Sequence, residues 1–126
     1  MAERIILRIP ATIGHVALVR AAASAVAARM DFTYDRLTDL HIALDEVCSR
    51  VLATSQPPPT RLEVVFEIDP DFLRVSTCGD TPAKAEVEFL NRWSEMILHS
   101  VTDRLELTDR SGAVMATFEI GKSPAS

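Results

Sequence analysis

A chain of 126 residues, 48% of them hydrophobic and 25% charged, has the size and composition of one soluble globular domain with its own core. The net charge of −5 leaves no excess of cation to offset phosphates. That argues against a broad nucleic-acid or anionic-membrane surface and leaves a basic protein partner open.

Arg4–Ile9 alternates as a short strand that Pro10 ends, so the N-terminus does not read as a signal peptide. The apolar stretch 16–28 is bounded by His15 and Arg29, is interrupted by Arg20, and is too short to span a bilayer; the expected compartment is the cytoplasm. Thr12 is placed to cap a helix running to about Met30, with Val16, Val19, Ala23 and Val26 on one face. Asp31-Phe32-Thr33 breaks it, and a second helix starts near Tyr34 with Asp35 in its first turn. There Leu37, Leu40, Leu44, Val47 and Val51 recur at spacings of three and four and form a buried stripe. Glu46 lies off that stripe, with Arg50 as its i+4 neighbour.

No helix passes through Gln56-Pro57-Pro58-Pro59. Leu62, Val64, Phe66 and Ile68 then alternate with Arg61, Glu63 and Glu67, Asp69-Pro70-Asp71 turns the chain, and Leu73, Val75 and Thr77 share a face of the next strand. Glu86 to about Ser100 is expected to be helical, followed by Arg104–Leu107 and Val114–Ile120 as a hairpin about Asp109-Arg110-Ser111-Gly112. The order strand, helix, helix, strand, strand, helix, strand, strand makes an α+β two-layer sandwich, with helices on one face of a mostly antiparallel sheet. One domain is expected over residues 1–122, with 123–126 as a frayed tail.

The run Asp39-Leu40-His41-Ile42-Ala43-Leu44-Asp45-Glu46-Val47-Cys48-Ser49-Arg50 resembles the N-box helix of the GHKL (Bergerat) ATP-binding fold. The form is that of RsbW/SpoIIAB-type anti-sigma factors, and the wording from Asp45 to Arg50 is closest to the RsbW/UsfX subgroup. Leu18-Val19-Arg20 looks like that family's first helix, and Met96 to Leu107 like its last helix running into its penultimate strand. Arg74-Val75-Ser76-Thr77-Cys78-Gly79 sits where the family carries its G1 box. The resemblance implies Glu46 as a general base and Arg20 as a contact to a sigma factor. It also places Arg50, Thr77 and Gly79 in an ATP site.

The departures fall on the nucleotide chemistry. Arg50 stands where the family has a Mg²⁺-binding asparagine, and a guanidinium cannot ligate a metal. Thr77 replaces the aspartate that accepts from the adenine amino group, which removes the charge from that bond. No glycine lies near Arg92-Trp93-Ser94-Glu95, where a phosphate-cradling G2 box would fall, and little chain remains after Gly79 for an ATP lid.

The expected function is therefore an anti-sigma factor with a degenerate nucleotide site. It would sequester an alternative sigma factor and be released by an anti-anti-sigma antagonist of the STAS type. A homodimer is expected, with no cofactor and no direct contact to nucleic acid or membrane. The alternative is an active ATP-dependent protein serine kinase that uses ATP and Mg²⁺ to phosphorylate its antagonist.

Glu46 is either that kinase's base or an i,i+4 structural partner of Arg50, worth a few tenths of a kcal/mol if exposed. Arg20 is either the sigma contact or a solvated helix charge. His15, His41 and His99 lack metal-ligand spacing, so no metal site is expected. Two cysteines do not make a disulfide framework. Cys48 reads as a core residue and Cys78 as the more accessible thiol, with a redox link between them conceivable in the GHKL arrangement. Phe89 and Trp93, four apart on the third helix, are expected to pack on the sheet.

Overall fold

The computed structural model describes residues 3–82, 89–110 and 112–123. The expected tail at 124–126, the expected helix start at 86–88 and turn residue 111 lie outside them. Strand β1 (Glu3–Pro10) leads through helix α1 (Ile13–Arg29) to helix α2 (Tyr34–Thr54). Strands β2 (Arg61–Ile68) and β3 (Phe72–Gly79) follow, then helix α3 (Arg92–Val101) and strands β4 (Arg104–Arg110) and β5 (Ala113–Gly121). The five strands form one sheet in the order β1-β2-β3-β5-β4, every pair antiparallel. This is the α+β two-layer sandwich read from the sequence.

The helix boundaries have local causes. Thr12 precedes α1 in an extended conformation, yet its hydroxyl bonds His15 Nδ1 at 2.7 Å and caps no backbone N–H. At the other end Asp31 takes a left-handed φ of 59°. Its N–H reaches the Ala28 carbonyl at 3.3 Å and the Phe32 N–H reaches Ala27 at 3.1 Å, closing a Schellman motif with aspartate in the place glycine usually fills. Thr33 Oγ1 then accepts the Arg36 N–H at 3.3 Å and starts α2.

The core lies between the helices and the inner face of the sheet. Leu40, Leu44, Val47 and Val51 of α2 are buried at its centre, and Leu37 is half-buried at its margin. Val19 and Ala23 of α1 and Leu98 of α3 flank them, above Val64, Phe66, Val75, Phe118 and Ile120 of the sheet. Each such valine, leucine, isoleucine or phenylalanine contributes roughly 1.5–3 kcal/mol on burial.

Among the described residues, one charged side chain joins this interior. Arg36 is buried, and its guanidinium donates to the Gly121 carbonyl (3.0 Å), Asp39 (3.2 Å) and Asp103 (2.9 Å). Asp103 also accepts the Gly121 N–H at 2.7 Å, so the start of α2, the α3–β4 link and the end of β5 are fastened together.

The third helix departs from expectation. Helix α3 starts at Arg92, because the Asn91 side chain accepts the Ser94 N–H at 2.8 Å and caps it there. Phe89 precedes that cap and is fully buried. Trp93, expected to pack on the sheet, is 65% exposed, since a start at Arg92 turns it to the outer side of the helix. No described helix is long and apolar enough to cross a membrane.

Candidate functional site

Helix α2 presents two working flanks, separated by its buried stripe. Glu46 and Arg50, one turn apart, serve the flank next to α3. The Ser94 hydroxyl donates to Glu46 Oε2 at 2.5 Å, and Ser94 itself is buried. Arg50 Nε donates to the Phe89 carbonyl at 2.6 Å. The carboxylate and the guanidinium thus both hold the segment that runs into α3. Neither Ser94 nor Asn91 was singled out by the sequence reading. An asparagine ahead of an amphipathic run was the available signal, because it sets the phase that aims Ser94 at α2.

Thr77 lies on the inner face of β3 and is fully buried. Its Oγ1 is one of two buried side-chain polar atoms without a hydrogen-bond partner among the described residues. A buried hydroxyl left unpaired costs about 1–3 kcal/mol, so this position carries a polar group that the domain's own packing does not use. Gly79, two residues on, lets α2 approach closely. A Cβ there would sit 3.2 Å from Val51 Cγ1 and 3.3 Å from Pro59 Cβ. The end of β3 and the C-terminal half of α2 are therefore neighbours.

The two cysteines do not share that neighbourhood. Cys48 is buried beneath the α1–α2 groove, and burial pushes its thiol up to about 12. Cys78 points to the opposite, helix-free face of the sheet and lines a depression there. Cys78 is the more exposed of the two thiols, as expected, but only at 6% against 1%; it too is buried, and burial raises its pKa. Both are free thiols on different sides of the sheet layer, which removes the geometric basis for a link between them.

The second flank of α2 faces α1. Ile13, Val16, Ala17 and Arg20 of α1 and Asp45, Leu52 and Ala53 of α2 line a groove of about 550 Å³. Arg20 Nε stands 3.4 Å from Asp45 Oδ1, with both side chains half-exposed, so this pair holds the rim only weakly. One turn further along, Ser24 Oγ and His41 Nε2 are hydrogen-bonded at 2.7 Å. Burial first, and the Arg20 charge second, lower the His41 pKa, while Asp45 opposes them. The structure thus parts the sequence candidates into two places: Glu46 and Arg50 on the α3 side, Arg20 on the α1 groove. Thr77 and Gly79 lie on the sheet below α2.

A family model described as "Histidine kinase-like ATPase domain" matches residues 9–95. The chain belongs to that family. It is 32% identical over 74 residues to the serine-protein kinase RsbW of Bacillus mycoides (strain KBAB4), a match covering 58% of this chain and 46% of that protein. The serine-protein kinase RsbW of Bacillus thuringiensis (strain Al Hakam) is 40% identical over 50 residues, covering 40% of this chain and 31% of the relative. The chain thus spans less than half the length of the curated relatives it matches. A crystal structure of the RsbU and RsbW domains of a Mycobacterium tuberculosis protein superposes with a TM-score of 0.74, covering 98% of this chain and 34% of that one. At 13% identity that likeness speaks to the fold. The resemblance to RsbW-type proteins stated from the motifs is borne out at the level of family and architecture.

Proposed function

We propose that the chain is an RsbW-type anti-sigma module that binds and sequesters an alternative sigma factor in the cytoplasm. An anti-anti-sigma protein of the STAS type would release it, and the working unit would be a homodimer. The observation that carries this reading is the α1–α2 groove. It is apolar along its floor, is edged by the exposed Ile13, and is closed at its rim by Arg20 and Asp45, which a charged partner can separate at little cost. Arg20 is the residue the family resemblance assigns to sigma contact.

The module would act without nucleotide turnover. Arg50 offers no lone pair to a metal, so the side chains present do not fit a Mg²⁺–phosphate clamp. Thr77 retains an unengaged buried hydroxyl where the family binds adenine, which fits a vestigial base pocket better than a working one.

The test is the affinity of the purified chain for each alternative sigma factor of its source. Arg20→Ala should weaken the tightest complex about tenfold or more, the loss of one interfacial anchor. An unchanged affinity would remove the groove from the interface.

A second reading rests on Ser94. The Glu46 carboxylate accepts a serine hydroxyl at 2.5 Å, the contact a general base makes, which supports a base role toward a serine of the antagonist that displaces the buried Ser94. Titration with MgATP separates the two readings: Mg²⁺-dependent micromolar binding would favour the kinase, with Glu46→Ala abolishing phosphoryl transfer to the antagonist.

A further inference from the structure

The helix-free face of the sheet carries a charge pattern unlike that of the chain as a whole. Period-two alternation puts Arg4, Arg8, Arg61, Arg74, Arg104 and Arg110 on this face with Glu63, Glu67, Glu106 and Glu119, and Asp69 and Asp80 stand at the strand ends beside them. A chain of net charge −5 thus balances its charges on this face.

At one end three arginines face two carboxylates. There a depression of about 340 Å³ is lined by Arg8, Arg61, Arg110, Glu63, Cys78 and Asp80, among others. Both carboxylates are already engaged by the protein. Asp80 accepts the Thr60 hydroxyl (2.5 Å) and the N–H groups of Thr60 (2.9 Å) and Arg61 (3.2 Å). Glu63 is shared by two guanidiniums, Arg8 Nε at 2.9 Å on one oxygen and Arg110 Nη1 at 2.7 Å on the other.

Each arginine gives Glu63 a single N–H, so each keeps further donors. The Arg61 side chain makes no hydrogen bond or ion pair among the described residues. Three guanidiniums therefore converge on one concavity whose two described carboxylates are both already engaged. Guanidinium N–H groups in that number suit the several oxygens of a tetrahedral anion, each of which accepts more than one bond.

We propose that the depression bounded by Arg8, Arg61 and Arg110 is a binding site for a phosphoryl-type oxyanion, held on the sheet face opposite the α1–α2 groove. The anion sits between Arg61 and the free donors of Arg8 and Arg110, above the Cys78 floor. Glu63 preorganises the two outer arginines and at the same time competes with the ligand for them. Its charge makes the site weak, and relieving that charge makes it strong. The site is independent of the anti-sigma reading, because it shares no residue with the groove or with Glu46.

The experiment is a ¹⁵N chemical-shift titration of the full chain at pH 7.5 with inorganic phosphate, and separately with N-acetyl-phosphoserine amide. Saturable shifts at the Nε–H signals of Arg8, Arg61 and Arg110, and at the amides of Cys78 and Gly79, are expected. Arg61→Gln should weaken binding about threefold or more, and Glu63→Gln should strengthen it by a similar factor, about the effect of one partly screened charge. Glu67→Gln removes the same charge from the same face, outside the depression, and should leave affinity within about twofold.

Tighter binding of the phosphoserine probe identifies a phosphorylated side chain as the source, and equal or weaker binding identifies a small free phosphate. Shifts that fail to saturate by about 50 mM, a range that would hold only contacts weaker than ~2 kcal/mol, overturn the proposal. Equal strengthening by Glu67→Gln and Glu63→Gln overturns it too, since net charge alone would then be at work.

Discussion

Ser94→Ala removes one hydroxyl from the contact between α3 and α2. The bond it breaks is 2.5 Å long and ends on a carboxylate, with the serine buried and Glu46 half-buried. Hydrogen bonds to charged groups contribute ~1.5–3 kcal/mol, and water can reach one side of Glu46 to replace part of that, so a loss of about 1–2 kcal/mol is expected. With a urea m-value of about 1.5 kcal/mol/M, the unfolding midpoint should fall by about 1 M. A bare stability loss would not identify the partner, and a double-mutant cycle does. If the hydroxyl acts through Glu46, Ser94→Ala in a Glu46→Ala background should cost about 1 kcal/mol less than in the wild type. Additivity of the two substitutions within about 0.3 kcal/mol would refute the reasoning, because it would mean that Ser94 stabilises α3 without regard to Glu46.

Arg36→Met should cost about 2–4 kcal/mol by denaturant unfolding, since it strips three hydrogen bonds from one buried guanidinium, and Arg36→Lys should recover less than half of it. A loss under about 0.5 kcal/mol would reduce the clamp to an ordinary surface pair. Gly79→Ala is expected to lower the thermal midpoint by about 3–4 °C, roughly 1 kcal/mol, because its Cβ meets Val51 and Pro59 at 3.2–3.3 Å; Gly79→Val should do more. Cys48 binds its proton more tightly when folded, so its contribution to stability is complete below the ordinary thiol pKa and is lost as the pH rises towards about 12. Across that window the wild type should lose about 1.4 kcal/mol per pH unit relative to Cys48→Ala; parallel pH profiles for the two proteins would refute this.

The elements were legible because each rests on a short-range rule. Pro10 and Pro57-Pro58-Pro59 end regular structure wherever they stand, the stripe Leu40-Leu44-Val47-Val51 has a single helical solution, and Leu62-Val64-Phe66 alternates as a strand must. The α+β class follows from their order, and the N-box wording around Glu46 narrowed it to one family before any geometry was known. The start of α3 was misplaced because amphipathic periodicity continues past a cap in either direction. The Asn91 side chain fixes the phase, and with it the burial of Ser94 and the exposure of Trp93.

Strand order, and which residues meet, belonged to tertiary structure. Nothing local in β5 says that it inserts between β3 and β4, and nothing local in β4 says that Arg110 reaches across two intervening strands to Glu63, 47 positions away. Nothing in the sequence around Arg36 marks it as interior, and only the convergence of Gly121 and Asp103 on it makes it so. Arg20 and Glu46 could each be named from a motif, but their separation on opposite flanks of α2 required both neighbouring helices. The sequence determined what each segment must be, because backbone conformation and hydrophobic phase are set within a few residues. The tertiary structure decided what each polar side chain does, because a charge or hydroxyl takes its role from a partner the chain supplies tens of residues away.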